Sequence, residues 1–530
     1  MQKKLIINIL SLIVLGLIFG NTASASKRGA TVPFRTFEAE DNLIGGAASK
    51  NLDNVILEVS SEKAYVHLQG TGGFVQFTCD APANRLTLRY SIPKNSNGTI
   101  SLYLNGTHKM DISLTSAQCY DSQSTNTRLR RYDEKSLELE LEKGDIVKFQ
   151  KDEGDTCSWY GIDLIDLELA PDPLPMPENY LSITDFGATL NDTIDDTEAI
   201  KKCIAAAAEQ KKGVWIPPGV FHQNTRISIP ENINMMGAGI WYSNLHNTVI
   251  GRSFSDDYGY ALVSGSTISD IKFTGVSIAR KLSTHLFRPI GKHETLKNLW
   301  IQNIGCIYGW SPGGAETSYN VLRDSRVIGT YVDGVHWGDG NAHHNLVENV
   351  YFRGMGDDAI AQVNRVDMPL CHNNVARFNS VIASYWGRGL ANIGGDSLVY
   401  TDNYISSSYL AGLMIATVDL GPNLSRPVDG FLVERNTFHK CGHLGHNHSG
   451  IQIYLKRNPM KDVIIRNNSI EQGQTEGIHI DNAAFGDEGG RILFENNTVR
   501  NNLKGNYQNN SKKVVPVLRN NQGIPNNAQD

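Results

Sequence analysis

The first third of the chain alternates short apolar runs with turn signals. Residues 74–77, 86–90 and 100–104 have the length and composition of strands. Asn97-Gly98 and Asn105-Gly106 mark tight hairpin turns next to these runs. The pattern predicts an antiparallel β-sandwich over residues 35–170. A proline-spaced stretch follows at 171–178 and predicts a stiff linker.

From residue 179 the pattern changes to a repeat. An amphipathic helix is predicted to begin at Asp195-Asp196-Thr197, because acidic residues favour the first turn of a helix. Beyond residue 295 a strand-turn-strand motif recurs every 22–33 residues around Asn303, Ser325, Asn349, Asn379, Asn403, Asn436, Asn468 and Asn497. Such repeats indicate a solenoid, and their Val, Ile and Phe content favours strands. We therefore predict an all-β chain, with a right-handed parallel β-helix at 179–510 after the sandwich. Residues 511–530 are predicted to be a polar, flexible tail.

A second motif lies about eight residues after each repeat position. Its aligned first residues are Asp333, Asp357, Arg388, Ala411, Ser449 and Glu476. Adjacent strands lie ~4.8 Å apart, so we expect Asp357 directly above Asp333, with Arg388 next. The variable repeat lengths place loop insertions at one edge, where a cleft is expected. Alternatively, these aspartates simply cap turns.

The aspartates suggest chemistry because clustered carboxylates repel one another. One member of such a cluster keeps its proton near neutral pH, and a protonated acid beside ionised carboxylates is what glycoside hydrolysis requires. Asp358 joins this cluster only if the chain bends at Gly356, since neighbouring strand residues point to opposite faces. By the same parity His336 is expected to point away from Asp333, into the core.

Four aromatic residues close to this motif are candidates for stacking on a sugar ring. They could equally belong to the core of the solenoid. These residues are Trp310, Trp337, Tyr385 and Trp386.

The N-terminus has the basic, apolar and small-residue order of a secretory signal over residues 1–25. The apolar run is short for a membrane span, so we expect a secreted or periplasmic protein without stable membrane insertion. The net charge is −6 and there is no basic run with interleaved aromatics, which argues against nucleic-acid binding. We expect a polysaccharide partner and a monomer.

The chain has seven cysteines, and none are in Cys-x-x-Cys spacing, which argues against a zinc site. Cys79, Cys119 and Cys157 could include one disulfide. The odd total leaves at least one thiol unpaired.

The predicted sandwich resembles carbohydrate-binding modules of families 6 and 35. The matching residues are 37–41 at its start and 161–169 at its end. The resemblance implies a structural calcium ion bound by Glu38, Glu40 and Asp163. Their hard oxygen ligands suit Ca²⁺, and Glu38 and Glu40 share a strand face. The alternative is a solvated edge strand.

Residues 180–505 resemble glycoside hydrolase family 87, the α-1,3-glucanases and mycodextranases. The resemblance rests on residues 214–221 with 237–243, on Asp-Gly-Val-His at 333–336, and on Gly-Asp-Asp-Ala-Ile-Ala at 356–361. It implies inverting hydrolysis in which Asp357 is the general acid. Asp333 and Asp358 would hold and deprotonate the attacking water, and no catalytic cofactor is implied.

Three questions stay open at the level of sequence. Other hydrolases or lyases of pectin or dextran use the same fold, although the stretch Gly387-Arg388-Gly389 departs from the Gly-His-Gly motif of polygalacturonases. A glycan-binding protein without activity is a further alternative. The sequence also does not decide between α-1,3-glucan and nigeran as the substrate, or between endo and exo action.

Overall fold

The structure is a computed structural model. It describes residues 28–120, 130–249, 258–279, 285–309, 316–338, 340–420, 423–445, 448–481 and 492–527. The predicted signal peptide lies outside the described residues. Within these ranges, no helix combines the length and the apolar character needed to cross a membrane.

The first domain is the predicted antiparallel sandwich. Its six-stranded sheet contains Phe34–Glu38, Ala48–Lys50, Val66–Leu68, Ala83–Ser91, Asp133–Leu141 and Tyr160–Glu168. Its five-stranded sheet contains Leu43–Gly45, Phe74–Thr78, Asn97–Leu104, Thr107–Thr115 and Ile146–Gln150. Alternate side chains fill the space between the sheets, where Phe77 and Phe149 meet edge to face. The only helical turns described here are Ala39–Asp41, Asn54–Leu57 and Ser61–Lys63.

The second domain is a parallel β-helix with three long sheets, which confirms the predicted fold class. Sheet I contains Tyr180–Ser182, Gly213–Ile216, Met235–Gly237, Thr267–Ser269, Thr295–Lys297, Val321–Arg323, Leu346–Glu348, Val375–Arg377, Val399–Thr401, Leu432–Glu434, Val463–Arg466, Ile492–Glu495 and Val517–Arg519. Sheet II contains Gly219–His222, Ser243–His246, Lys272–Thr274, Trp300–Gln302, Arg326–Ile328, Tyr351–Arg353, Ser380–Ile382, Tyr404–Ser406, Thr437–His439, Ser469–Glu471 and Thr498–Arg500. Sheet III contains Ile227–Ile229, Tyr260–Leu262, His285–Pro289, Cys306–Gly309, Val335–Gly338, Ile360–Val363, Leu390–Ile393, Leu413–Thr417, Ile451–Leu455, Ile478–Ile480 and Tyr507–Asn509.

The predicted helix is present as Thr197–Gln210. It follows a 3-10 turn at Ile183–Phe186 and packs against the first strands of sheet I. Ile200, Ile204 and Ala207 face inward and are buried. The helix therefore covers apolar residues that the first coil would otherwise expose to water.

A ladder of asparagine side chains marks the turns that lead into sheet II. In each asparagine, Oδ1 accepts a hydrogen bond from the backbone N–H of the residue one coil earlier, and Nδ2 donates to Oδ1 of the asparagine one coil later. The members are Asn379, Asn403, Asn436, Asn468 and Asn497. Asn521 continues the ladder. The expected tail is therefore wrong for residues up to 527, because Val517–Arg519 pairs with the preceding strand of sheet I.

Two predicted repeat positions do not belong to this ladder. Val350, and not Asn349, bonds to Asn379 through its backbone N–H. Asn303 faces the sandwich, where it contacts Gln118 and Arg130. All seven cysteines are buried, and Cys79, Cys119 and Cys157 form no disulfide with one another.

The sandwich packs against sheet II through buried ion pairs. Arg353 donates two hydrogen bonds to Glu134, at 2.6 and 2.8 Å, and one to Asp166 at 2.7 Å. Arg326 forms a bidentate pair with Glu168 at 2.8 and 3.0 Å. These contacts fix the sandwich close to the turns that connect sheets II and III.

Candidate active site

Asp333, Asp357 and Asp358 lie in two stacked turns between sheets II and III. Asp333 precedes the strand Val335–Gly338, and the other two precede Ile360–Val363. Val335 pairs with Ile360, which places Asp358 directly over Asp333. The expectation that Asp357 occupies this position is wrong by one residue. The Asp358 N–H donates to Asp333 Oδ1 at 3.1 Å, which joins the two turns.

The three carboxylates form one cluster, in which an oxygen of each lies within 4.8 Å of the others. This is possible because none of residues 354–359 lies in a strand, so the alternation of strand faces does not separate Asp357 from Asp358. Gly387 lies against the Asp357 backbone so closely that a Cβ there would overlap it. Because residue 387 is a glycine, the next coil can pack directly against the backbone of Asp357.

The position of Asp358 gives it an unusual proton affinity. Burial raises the pKa of Asp358 to about 7, and the charges of Asp357 and Asp333 act in the same direction. Arg388 opposes the shift: its backbone N–H donates to Asp358 Oδ1 at 2.8 Å, and its guanidinium Nη1 lies 3.5 Å from the same oxygen. The cluster therefore holds a proton up to neutral pH, next to a fixed positive charge.

His336 belongs to the site, contrary to the parity argument. Its Nδ1 lies 2.9 Å from Asp333 Oδ2, and its side chain is partly exposed on the outer face of sheet III. Parity failed because Asp333 is in the turn and not in the strand. The Asp-x-x-His spacing across a turn-strand boundary was the signal that could have identified this contact.

The aromatic candidates divide into different environments. Trp337 is 1% exposed and belongs to the solenoid core, so a sugar-stacking role for it is wrong. Tyr385 is also buried, between the sandwich and the solenoid, and its hydroxyl donates to the Thr330 carbonyl at 3.0 Å. Trp386 is half-buried in the same cluster and remains a candidate. Trp310 lies outside the described residues.

Two groups of carboxylates bear on metal binding. Asp333, Asp357 and Asp358 are close enough to hold a cation as well as a proton, and their oxygen ligands would suit Ca²⁺ or Mg²⁺. Among the described residues, the oxygens of Glu38, Glu40 and Asp163 do not form such a group.

The sandwich carboxylates nevertheless keep some capacity for a cation. Asp163 is already bound by the Arg89 guanidinium and the Ser61 N–H. Glu38 Oε2 and Glu40 Oε2 are buried without a hydrogen-bond partner, and burial raises the pKa of Glu40 to about 7. These two oxygens fit a cation and Asp163 does not, so the calcium site stays a prediction.

We expect Asp358 to make stability fall as the pH rises. Its folded pKa of about 7 exceeds the unfolded value of about 3.9, so the folded state holds the extra proton and loses stability between those values. Urea midpoints at pH 4.5 and pH 8, compared between the parent and Asp358→Asn, measure this contribution. The variant should show a smaller decrease between the two pH values, and an equal decrease in both proteins would contradict the assignment.

The sequence matches two families over most of its length. Residues 31–170 match "Alpha-1,3-glucanase catalytic domain D1", and residues 193–503 match "Alpha-1,3-glucanase catalytic domain D2". The sandwich is thus matched as part of a catalytic unit. A comparison with curated proteins finds no match.

Several solved structures share the whole architecture. The Agl-KA catalytic domain is 22% identical with a TM-score of 0.81, over 95% of this chain and 96% of that one. The catalytic unit of a GH87 α-1,3-glucanase from Streptomyces thermodiastaticus strain HF3-3 is 20% identical with a TM-score of 0.73, over 95% and 98%. A GH87 α-1,3-glucanase catalytic domain in complex with nigerose is 20% identical with a TM-score of 0.70, over 93% and 100%. The likeness to these structures shows the fold, and the D2 match covers more than half of the chain. The protein belongs to the α-1,3-glucanase catalytic-domain family, glycoside hydrolase family 87, and is a glycoside hydrolase.

Proposed function

We propose that this protein is an endo-acting hydrolase of α-1,3-glucosidic bonds in α-glucan, with catalysis by Asp333, Asp357 and Asp358. The observation that carries the proposal is the three-carboxylate cluster with a raised pKa beside Arg388. General acid catalysis at neutral pH needs a carboxyl group that is still protonated there. Membership of the family supplies the substrate class.

The three aspartates differ in exposure, and this difference supports separate roles. Asp357 is half-buried, so its carboxyl group can reach the glycosidic oxygen of a chain lying on the surface. Asp358 is buried and bound by Arg388, while Asp333 is held by the Asp358 N–H and His336. We assign proton donation to Asp357, and orientation and deprotonation of the attacking water to Asp333 and Asp358. The raised pKa of Asp358 keeps one proton in the cluster. This proton passes to Asp357 before it is donated to the glycosidic oxygen, which leaves Asp358 ionised beside the attacking water.

The proposed reaction uses no metal ion. Arg388 already places a positive charge 3.5 Å from Asp358, which balances part of the negative charge in the cluster. The proton needed by the leaving oxygen comes from Asp357 and is replaced from the water that attacks. A chelator should therefore leave the rate of hydrolysis unchanged.

The experiment that tests this function is the release of reducing ends by the purified protein. We expect hydrolysis of α-1,3-glucan, and weaker or no hydrolysis of nigeran, dextran and polygalacturonate, measured in parallel with and without a chelator. Hydrolysis confined to dextran or polygalacturonate would contradict the assignment of α-1,3-glucan as the substrate. Binding without hydrolysis of any of these glycans would contradict the enzymatic proposal.

Stereochemistry is the second readout of the same experiment. The carboxylates are nearer to one another than the ~6.5–9.5 Å gap of two-carboxylate inverting enzymes, so inversion rests here on the family resemblance. An inverting enzyme releases the β-anomer first from an α-linked glucan. Proton NMR of the first product distinguishes inversion from retention of the anomeric configuration, and an α-anomer would refute inversion.

We also propose that the protein is exported through residues 1–25, acts as a monomer and carries calcium at Glu38 and Glu40. The signal-like pattern supports export. The unpartnered oxygens of Glu38 and Glu40 support the ion.

A further inference from the structure

The turn that carries Asp333 is in direct contact with the sandwich. This turn, residues 329–334, connects the strand Arg326–Ile328 of sheet II to the strand Val335–Gly338 of sheet III. We call it the Asp333 turn. The buried side chain of Arg130, which belongs to the sandwich, lies against its first residue. The two domains therefore meet at the segment that holds one of the proposed catalytic carboxylates.

Arg130 bridges the sandwich and the solenoid with its guanidinium group. On the sandwich side, Nε donates to the Tyr132 carbonyl at 2.9 Å and Nη2 donates to Asp133 Oδ1 at 2.7 Å. On the solenoid side, Nη1 donates to the Gly329 carbonyl at 3.2 Å and to Asn303 Oδ1 at 2.7 Å. Each nitrogen of the guanidinium thus has an acceptor, and a buried charged group holds the start of the turn.

Gly329 has the backbone shape and the small size that this contact requires. Its φ of 65° lies in the left-handed region, which residues with a side chain rarely adopt. A Cβ at Gly329 would also lie 2.6 Å from Cζ of Arg130. The guanidinium therefore occupies the space that a side chain at residue 329 would need.

Two further hydrogen bonds extend this connection from the sandwich to the carboxylate cluster. The Tyr331 hydroxyl donates to the Gln118 carbonyl of the sandwich. At the other end of the turn, Asp333 Oδ1 accepts the N–H of Asp358 at 3.1 Å. A movement of the Asp333 turn would therefore change the distance between these two carboxylates.

We propose that Arg130 is a positioning residue for the hydrolysis, because it holds the Asp333 turn at the place where Asp333 meets Asp357 and Asp358. The inference rests on the proposed function, since Asp333 is one of the three carboxylates assigned there. It gives the sandwich a part in the rate of the reaction. The match of the sandwich to an α-1,3-glucanase catalytic domain agrees with such a part.

Arg130→Lys tests this role. Lysine keeps a positive charge beside Asp133, so the sandwich should stay folded and docked, but a single ammonium group cannot reproduce the planar guanidinium that spans both domains. A displacement of a reacting group by about 1 Å can cost about 10²-fold in rate, so kcat on α-1,3-glucan should fall roughly 10- to 100-fold. KM should change little, because Arg130 is buried away from the substrate.

Arg326→Lys is the matched control for this variant. Arg326 forms a buried bidentate pair with Glu168 at the same interface, at 2.8 and 3.0 Å. Its substitution weakens the docking of the sandwich without removing a hydrogen bond to the Asp333 turn. It should therefore leave kcat close to that of the parent.

The pH dependence of kcat is a readout that a purely structural role would not change. Burial raises the pKa of Asp358, Arg388 opposes the shift, and the charges of Asp357 and Asp333 add to it. A displaced Asp333 adds less, so the cluster loses its proton at a lower pH. The basic limb of the pH profile should move to lower pH in Arg130→Lys and should not move in the control.

Tyr331→Phe is a milder second variant. It keeps the ring and removes only the hydroxyl that binds the Gln118 carbonyl, so the protein should fold as the parent does. Both kcat and the basic limb should change in the same direction as in Arg130→Lys, to a smaller extent. If Arg130→Lys does not fold, this variant decides the question against the same control.

Crystal structures of the variants separate this inference from the proposed function. If the parent hydrolyses no α-glucan, the function fails, and the position of the Asp333 turn in Arg130→Lys still tests the inference. A displaced turn with the sandwich still docked supports it. The inference is overturned if the turn keeps its position, or if Arg130→Lys and Arg326→Lys lower kcat equally or not at all.

Discussion

Asp357→Asn is expected to lower kcat on α-1,3-glucan by about 10²–10⁴-fold, the usual contribution of a positioned general acid. Asparagine has nearly the same shape, but it carries no acidic proton for the glycosidic oxygen. Asp357 lies in a half-buried turn, so the fold and the Tm should change little. Glycan binding should persist, because the substitution keeps the size of the side chain and leaves Arg388 and the other two aspartates in place.

The nature of the leaving group makes this prediction specific. An activated aryl glycoside departs without protonation, so Asp357→Asn should lose much less activity on an activated α-1,3-linked oligoglucoside than on the glucan. Asp324→Asn is the matched control, since Asp324 is an exposed aspartate in a turn of the same solenoid. Equal losses on the two substrates would contradict the acid role, and an unchanged kcat would remove Asp357 from the mechanism.

The same cluster shows how far the sequence could predict the site. The repeat located the three aspartates on adjacent coils, because each coil must return to the same sheet edge to pair. The predicted register was wrong by one residue, because Asp358, and not Asp357, stacks on Asp333. A turn of irregular backbone has no fixed period, so counting from the repeat motif cannot resolve a single residue within it.

Predictions that depended on side-chain direction failed at the turn and succeeded inside the strands. Trp337 is core because it shares the inward parity of Val335, whereas His336 could be placed only once Asp333 was known to lie outside the strand. Tyr385 is buried by the sandwich, a contact between segments far apart in sequence. Neither periodicity nor composition carries information about such a contact.

The sandwich also illustrates what composition cannot show. Its strands were predictable from alternation and Asn-Gly turns, but its attachment to sheet II depends on charged residues that look solvent-exposed in the sequence. Glu134 and Asp166 lie on strands of the sandwich, and both are buried against Arg353. The sandwich matches a domain of the α-1,3-glucanase catalytic unit, which agrees with a buried, charged interface between the sandwich and sheet II.

Arg353→Met is therefore expected to destabilise the protein by about 3–5 kcal/mol, the range for removing one partner of a buried ion pair. The Arg353 side chain is 2% exposed, and its loss leaves the Glu134 and Asp166 carboxylates buried without their main counter-charge. Burial already raises the pKa of Asp166, with Arg353 opposing the shift. The variant should unfold at a lower urea concentration and a lower Tm, and its sandwich should be cut more readily by proteases.

Arg377→Met is the matched control for this prediction. Arg377 forms an ion pair with Glu348 at 2.7 Å, but its side chain is 43% exposed, and exposed pairs contribute about 1 kcal/mol or less. If Arg353→Met and Arg377→Met have equal effects, the buried pairs do not hold the sandwich to sheet II. A large loss in Arg353→Met alone would establish that the sandwich is fixed to the solenoid by buried charge, because the two variants remove the same side chain from different environments.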